Sequence, residues 1–505
     1  VTFTEAVLPD RTTFRDAYDA GRAQVVWTTL VADLETPVSA TLKLAEGRPY
    51  SFLLESVTGG AVRGRYSIIV TKPDLVWRAR GEAAEINRRA RFDLDSFTAE
   101  AEPTLESLRD LLAESRIELP AELPPMAAGL FGYMSYDTIR LVEPTVPATN
   151  PDPLGIPDAV FLRPTLVAVF DSIKDVLTIV TPVYPAAGLG ADLAYDQALE
   201  RLADAVTDMG RGINPARPAR ASEPPTPVSN TSRDAYHAMV DRAKEYITAG
   251  DIFQVVPSQR FAVPFSLPPM ALYRSLRRLN PSPFLFFLDL GDMALVGSSP
   301  EILVRVRDGR VTVRPIAGTR PRGTTSADDE ALAADLMADP KELAEHLMLL
   351  DLGRNDVGRV AKIGTVEVTE QMIVERYSHV MHIVSNVEGD LREDCDVIDA
   401  LLAGFPAGTV SGAPKVRAMQ IIEELESEKR GFYAGAVGYI SADGDMDTCI
   451  ALRTALVKDG TMYVQAGGGV VADSDPEAEY QESCNKARAL IRAAEEAVRY
   501  ASRGR

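Results

Sequence analysis

The stretch ILVRVRDGRVTVRPI, residues 302–316, alternates apolar and polar side chains on either side of Asp308-Gly309. Alternation with a period of two marks a half-buried strand, and Asp-Gly between two such runs is the strongest short-range hairpin signal. This part of the chain is therefore committed to antiparallel pairing. PTLVAVFDSIKDVLTIVTPV (164–183) likewise reads as two strands joined by a short turn. Near the end, AGAVGYIS, TCIALRTALV and TMYVQAGGGVV are separated by Gly and Asp turns and read as an antiparallel meander. Helical patterns are interspersed without a βαβ rhythm. The expected fold is α+β, with large, mainly antiparallel sheets packed as a sandwich and helices on the outside.

The clearest break is RGINPARPARASEPPTPVSNTS (211–232), five prolines with little that can be buried. It divides the expected organisation into an N-terminal region, 1–225, and a second region, 226–505. A second Pro-rich stretch, 143–158, reads as a long loop inside the first region. After the break, Ser232 is expected to cap a helix with the stripe Tyr236, Met239, Val240, Ala243 and Ile247, stopped by Gly250.

Charge narrows the function classes. A formal net charge of −20 over 505 residues argues against nucleic acid as a partner. An anionic substrate must be met by a local set of donors working against the overall field. Three cysteines without CxxC spacing make no disulfide framework. No apolar run approaches a membrane span and the N-terminus lacks a signal pattern, so the expected location is the cytoplasm.

Two stretches pair carboxylates with helix starts. In ADPKELAEHLMLLDLGRND, Asp339-Pro340 opens a helix that brings Glu342 and Glu345 to its first turns. A capping box from Asp339 to Glu342 is a complete structural reason for Glu342. In DSDPEAEYQESCNKARALIRAAEEAV, Asp475-Pro476 opens another helix with Glu479, Glu482 and Lys486 on one face. Its expected buried stripe is Tyr480, Cys484, Ala487, Ile491, Ala494 and Val498. An ion pair between Glu482 and Lys486 is the plain reading, worth roughly 0.2–0.5 kcal/mol. Carboxylates from separate helices, with water and an anionic ligand, are also what Mg²⁺ accepts.

Other candidates point to an anionic ligand. Arg453 sits inside the apolar run CIALRTAL, where a cation needs an anionic partner, either a structural carboxylate or a substrate. Gly467, Gly468 and Gly469 allow close backbone approach, for a ligand or for a bulge. Pro414 in FPAGTVSGAPK marks a helix start with free N–H groups. Of the four histidines, His379 and His382 lack a third nitrogen or sulfur ligand nearby, which leaves one of them as an orienting or general-base group or both as structural. Walker A, G-x-S-x-G and HExxH motifs are absent.

PIAGTRPRG (315–323), KELAEHLMLLDLGRND (341–356), RYSHVMH (376–382), FPAGTVSGAPK (405–415), FYAGAVGYI (432–440), IALRTAL (450–456) and EAEYQESCNKA (477–487) occur in this order. Together they resemble the chorismate-utilising enzymes, most closely the component I branch of anthranilate synthases, over residues 230–495 and more weakly over about 45–185. The resemblance implies that Glu345 and Glu482 bind Mg²⁺, which holds the ring carboxylate of chorismate, with Glu342 and Glu479 in or beside that shell. It places chorismate contacts on Gly318, Thr319, Tyr433, Arg453, Gly467, Gly468, Gly469 and Lys486. Glu301 matches the acid that protonates the departing 4-hydroxyl, and His379 the active-site histidine.

The branch follows from two positions. Aminodeoxychorismate synthases commonly carry a nucleophilic Lys where this chain has Ala317. Isochorismate and salicylate synthases carry a water-activating Lys where it has Gln254, and an amide is no general base. External ammonia is left as nucleophile, giving anthranilate and pyruvate, the first step of tryptophan biosynthesis. No cysteine sits in a triad setting, so a separate glutamine amidotransferase subunit (component II) is expected to supply ammonia, in a hetero-oligomer. A catalytically inactive ligand-sensing module is the alternative of a different class. The resemblance also implies a tryptophan feedback site where SFLLESVTGG meets NPSPFLFFLDL, carried by Ser56 and by Pro283, Phe284 and Leu285.

Overall fold

The computed structural model describes residues 6–45, 47–56, 64–213, 226–377 and 380–503. Two antiparallel sheets face each other, and two long strands, Tyr66–Arg80 and Ala159–Asp171, run through both. Their paired register slips between Pro73 and Leu75, where Lys72 has φ +54°. A bulge of this kind bends a strand and lets its two halves serve different sheets.

On one side of the bulge the ladder continues through Val176–Val183 to Gln24–Val31. In the other direction it runs through Ser51–Glu55, Phe284–Asp289, Met293–Ser299, Thr454–Lys458 and Thr461–Gly467 to Ser258–Pro264. On the far side of the bulge the second sheet starts from Ala83–Asn87. It continues from Ala159–Asp171 through Gly129–Met134, Ala436–Ser441, Met446–Ile450, Ile302–Arg307 and Arg310–Val313 to Val380–Asp390. Ile316–Pro321 and Glu367–Arg376 flank that last strand. The 302–316 hairpin forms as expected, with Asp308 and Gly309 both at positive φ.

Strands from either side of residue 225 pair directly, Leu54 with Phe286 and Gly132 with Gly438. Alternate residues of each strand sort to opposite faces. Phe52, Val70, Phe286 and Leu295 join the core between the sheets, while Leu53, Ile69, Phe287 and Val296 pack under the outer helices. The sandwich with helices outside is thus the observed architecture.

The 436–467 region departs from a simple meander. Met446–Ile450 and Thr454–Lys458 belong to different sheets, and the chain crosses between them at Ala451–Arg453. Arg453 is therefore not inside a strand but at the crossing, with φ +46°. An apolar run cannot report this corner, because both of its ends are buried strands.

Candidate active site

Asp339 caps the helix Pro340–Gly358, its carboxylate accepting from the N–H groups of Lys341 (3.0 Å) and Glu342 (3.4 Å). The Glu342 carboxylate turns away from the cap and accepts from Arg320 Nη1 at 3.2 Å. Only half of the expected capping box is present. The helix Pro476–Arg503 opens on Asp475, which accepts from Ala478 N at 2.9 Å. Its fully buried stripe is Ser483, Ala487, Leu490, Ala493, Ala494 and Ala497, with Cys484, Ile491 and Val498 half-buried beside it. The stripe is rotated from expectation because small residues face the helix Pro269–Leu279 closely.

These two helices bring their carboxylates together. The Glu345 carboxyl is raised above its ordinary value by burial, then by the charges of Glu342 and Glu482, and is opposed by Lys486 and the Gln254 amide. Glu479 is raised by burial and by Glu482, against a 2.7 Å hydrogen bond from Ser474. Glu482 pairs with Lys486 at 2.7 Å, and Lys486 Nζ also donates to Gly467 O at 3.0 Å. The pair forecast from sequence is real; both side chains are about half exposed, and their charges act on Glu345 of the other helix.

The glycines make room for this cluster. A Cβ on Gly468 would lie 2.7 Å from Glu479 Oε2. Gly318 has φ +69°, and a Cβ there would sit 3.1 Å from Glu342 Oε2. Gln254, where related enzymes carry Lys, is buried at 3% exposure with its Oε1 unpartnered, and Ala317 is buried as well.

Beside the carboxylates lies a cavity of about 560 Å³ lined by Pro283, Tyr377, His382, Arg453, Glu482 and Lys486, among others. Arg453 is part-buried there, desolvation lowers its pKa, and no carboxylate pairs with it among the described residues. A desolvated cation at a cavity wall calls for an anionic ligand.

His379 lies outside the described residues. His382 lines the cavity, with Nδ1 2.8 Å from Gly318 O and 3.2 Å from Thr319 Oγ1. A carbonyl only accepts, so Nδ1 carries the proton and Nε2 keeps its lone pair. Burial lowers the His382 pKa, which holds it neutral at pH 7. The pairing of Val380–Asp390 with Ile316–Pro321 is what brings the His382 ring to Gly318.

Glu301 is next in the chain to the cavity-lining Pro300; it is 6% exposed and lines a small separate recess with Leu349, Gly408 and Thr409. Its carboxyl accepts from Thr409 Oγ1 at 3.2 Å, and burial pushes its pKa up to about 8 despite that bond. It is a carboxylic acid that keeps its proton at neutral pH, as a general acid must. Tyr433 is buried behind the glycines, its hydroxyl pushed up to about 12 by burial while Arg430 and the Gly467 backbone oppose the shift.

The two segments assigned to regulation meet in the first sheet. Leu285 pairs with Glu55 at the end of the ladder, next in the chain to Phe284 and Ser56 respectively. Glu55 is held by Arg277 at 2.8 and 2.9 Å, which anchors this strand end to the helix Pro269–Leu279.

Comparison with known proteins identifies the family and the fold. The sequence profile of a chorismate binding enzyme matches residues 65–492. Anthranilate synthase component 1 of Cereibacter sphaeroides is 62% identical, covering 97% of this chain and 98% of the relative. That of Pseudomonas putida is 49% identical over 92% and 93%. Among solved structures, anthranilate synthase component I from Streptococcus pneumoniae TIGR4 superposes with a TM-score of 0.74 at 36% identity, covering 92% of this chain and 98% of that one. The menaquinone-specific isochorismate synthase of Escherichia coli shares the fold at 20% identity, with a TM-score of 0.70 over 96% and 100%. The chain belongs to the chorismate-binding enzymes, in their anthranilate synthase component 1 branch.

Proposed function

We propose that this protein converts chorismate and ammonia to anthranilate, pyruvate and water, the first step of tryptophan biosynthesis. The observation that carries the reading is Arg453, a desolvated cation without a carboxylate partner among the described residues, on the same cavity as Glu482 and His382. Chorismate has two carboxylates, and Arg453 suits one of them.

Mg²⁺ fits the donor set around the other. Glu345 and Glu482 come from separate helices, and their mutual repulsion is what a cation would relieve. Among the described residues no three His, Cys, Asp or Glu side chains close on one point. Mg²⁺ commonly takes one or two carboxylates and leaves the remaining positions to water and substrate oxygens. When bound, it would withdraw electron density through the ring carboxylate and orient the ring.

The chain's own residues supply the proton transfers. Glu301, protonated at neutral pH and fixed by Thr409, gives its proton to the 4-hydroxyl, which leaves as water while ammonia bonds to C2. A base then takes the C2 proton, the enolpyruvyl group departs as pyruvate, and the ring becomes aromatic. His382, neutral with its Nε2 lone pair free, is placed to orient substrate or to accept that proton. We assign it the role that the sequence resemblance gave to His379.

Ammonia is the nucleophile because Ala317 and Gln254 supply none. With purified protein, Mg²⁺ and an ammonium salt, chorismate is expected to yield fluorescent anthranilate and stoichiometric pyruvate. Isochorismate or salicylate as the main product would overturn the assignment. Burial pushes the Cys449 thiol far above its ordinary range and raises Cys395 as well, so neither thiol is poised as a glutaminase nucleophile. A separate glutamine amidotransferase subunit is the fitting ammonia source in the cytoplasm.

Tryptophan feedback is the proposed use of the meeting of Ser56 with Pro283, Phe284 and Leu285. A ligand inhibits there only by binding the less active arrangement more tightly. Ser56→Phe is expected to relieve tryptophan inhibition by filling the slot while leaving turnover largely intact. Inhibition curves of parent and variant that overlay would place the site elsewhere.

A further inference from the structure

A second cavity, of about 600 Å³, lies where the bulged strand Tyr66–Arg80 meets the helix Ala191–Met209. Its wall carries Arg48, Lys72, Arg91, Arg201 and Arg211, against only two carboxylates, Asp204 and Asp208. That excess of positive charge stands within a chain of net charge −20. None of these residues belongs to the candidate active site or to the segments assigned to regulation.

Lys72 and Arg211 are paired within the protein, and Arg201 differs from them. Asp208 takes both Lys72, at 3.6 Å, and Arg211, at 2.8 Å. Arg201 donates from Nε to Thr181 Oγ1 at 2.6 Å and has no ion pair among the described residues. Burial and the neighbouring Arg91 together push the Arg201 guanidinium down to about 10. Asp74 and Glu200 oppose only part of that shift, and two arginines lining one cavity, one of them desolvated, favour an anion between them.

Thr165 and Thr207 also line the wall, and its apolar part is made by Pro49, Pro73 and Leu166 with the exposed Leu94 and Phe92. Phe92 is 81% exposed. A volume in the range of organic ligands, a cationic end with planar guanidinium forks and an exposed aromatic ring match a phosphomonoester on a flat apolar group better than a bare inorganic ion. We propose that this cavity binds a small organic phosphate, its phosphate between Arg91 and Arg201 and its apolar part against Phe92.

Lys72 ties the site to the fold. Its positive φ forms the bulge that bends the long strand, and its carbonyl accepts from Thr165 Oγ1 at 2.5 Å. The cationic side chain is thus presented by backbone geometry that the sandwich itself requires.

The test uses the full chain, phenyl phosphate as probe, and titration calorimetry at low salt. Binding at one site per chain is expected, weakened at least tenfold by Arg201→Gln and also by the surface substitution Arg91→Gln, and unaffected by Arg453→Gln. Inorganic phosphate is expected to compete more weakly than phenyl phosphate. Absence of binding at millimolar probe would overturn the proposal. So would loss of binding in Arg453→Gln with retention in Arg91→Gln, which would place the probe in the chorismate cavity.

Discussion

Replacing Glu301 with Gln is expected to lower kcat by roughly 10²–10⁴-fold, the usual worth of a positioned general acid. The amide is isosteric and can still accept from Thr409, but it has no proton of suitable acidity for the departing hydroxyl. The wild-type enzyme should show a matching pH signature. With Glu301 pushed up to about 8, kcat corrected for the free ammonia present should fall as pH rises through that value. The Glu301→Gln enzyme should lack this limb. The same shift has a stability consequence of fixed sign. The folded carboxyl binds its proton more tightly than the ordinary value of 4.5 allows. Its contribution is therefore complete below that value and lost as pH rises through about 8. Thermal unfolding of the variant should depend less on pH across this window than that of the parent. A variant with near-parental kcat and an unchanged pH limb would remove Glu301 from the mechanism.

Glu345→Gln is expected to raise the Mg²⁺ concentration needed for half-maximal turnover by about 100-fold or more, since even outer-shell partners of metal ligands are commonly worth 10–100-fold. The variant also removes one charge from a cluster that Glu342 and Glu482 make mutually repulsive. In the absence of metal it should therefore unfold at a higher temperature than the parent, while calorimetry shows weaker Mg²⁺ binding. The opposite movements of metal affinity and metal-free stability separate a ligand from a merely structural glutamate. Should Glu345→Gln titrate with Mg²⁺ like the parent, the two-helix metal assignment fails.

Local periodicity was enough to place much of the framework. The Asp308-Gly309 hairpin, the Ser232-capped helix Arg233–Ala249 ending at Gly250, and the strands on either side of Asp175 all form where the pattern sets them. The carboxylate pairs on two Asp-Pro helices were likewise visible, because capping and spacing are local. What stayed hidden depends on contacts between distant segments. Arg453 read as a strand residue because an apolar run has the same appearance whether it continues or turns a corner between sheets. The surroundings of His382 were hidden as well, because pairing with Ile316–Pro321 is what brings Gly318 O within 2.8 Å of its ring. Glu342 had a sufficient local explanation as a capping partner, and Arg320, a residue from another element, is what draws it away. The family resemblance supplied roles that spacing alone left open; the one it gave to His379 falls outside the described residues.

The two bent strands shared by both sheets bear on how such a chain reaches its native state. Each sheet is completed by ladders between residues several hundred positions apart, such as Gly132 with Gly438 and Leu54 with Phe286. Loop-closure entropy must be met before those pairings return anything, so the topology favours slow folding with a high share of non-local contacts. A nascent or severed N-terminal segment would hold Gly129–Met134 and Ser51–Glu55 as open, apolar edges, the kind of surface that templates aggregation. Recombining the segments before and after residue 225 as separate polypeptides should accordingly require co-expression, since each carries the missing edge of the other.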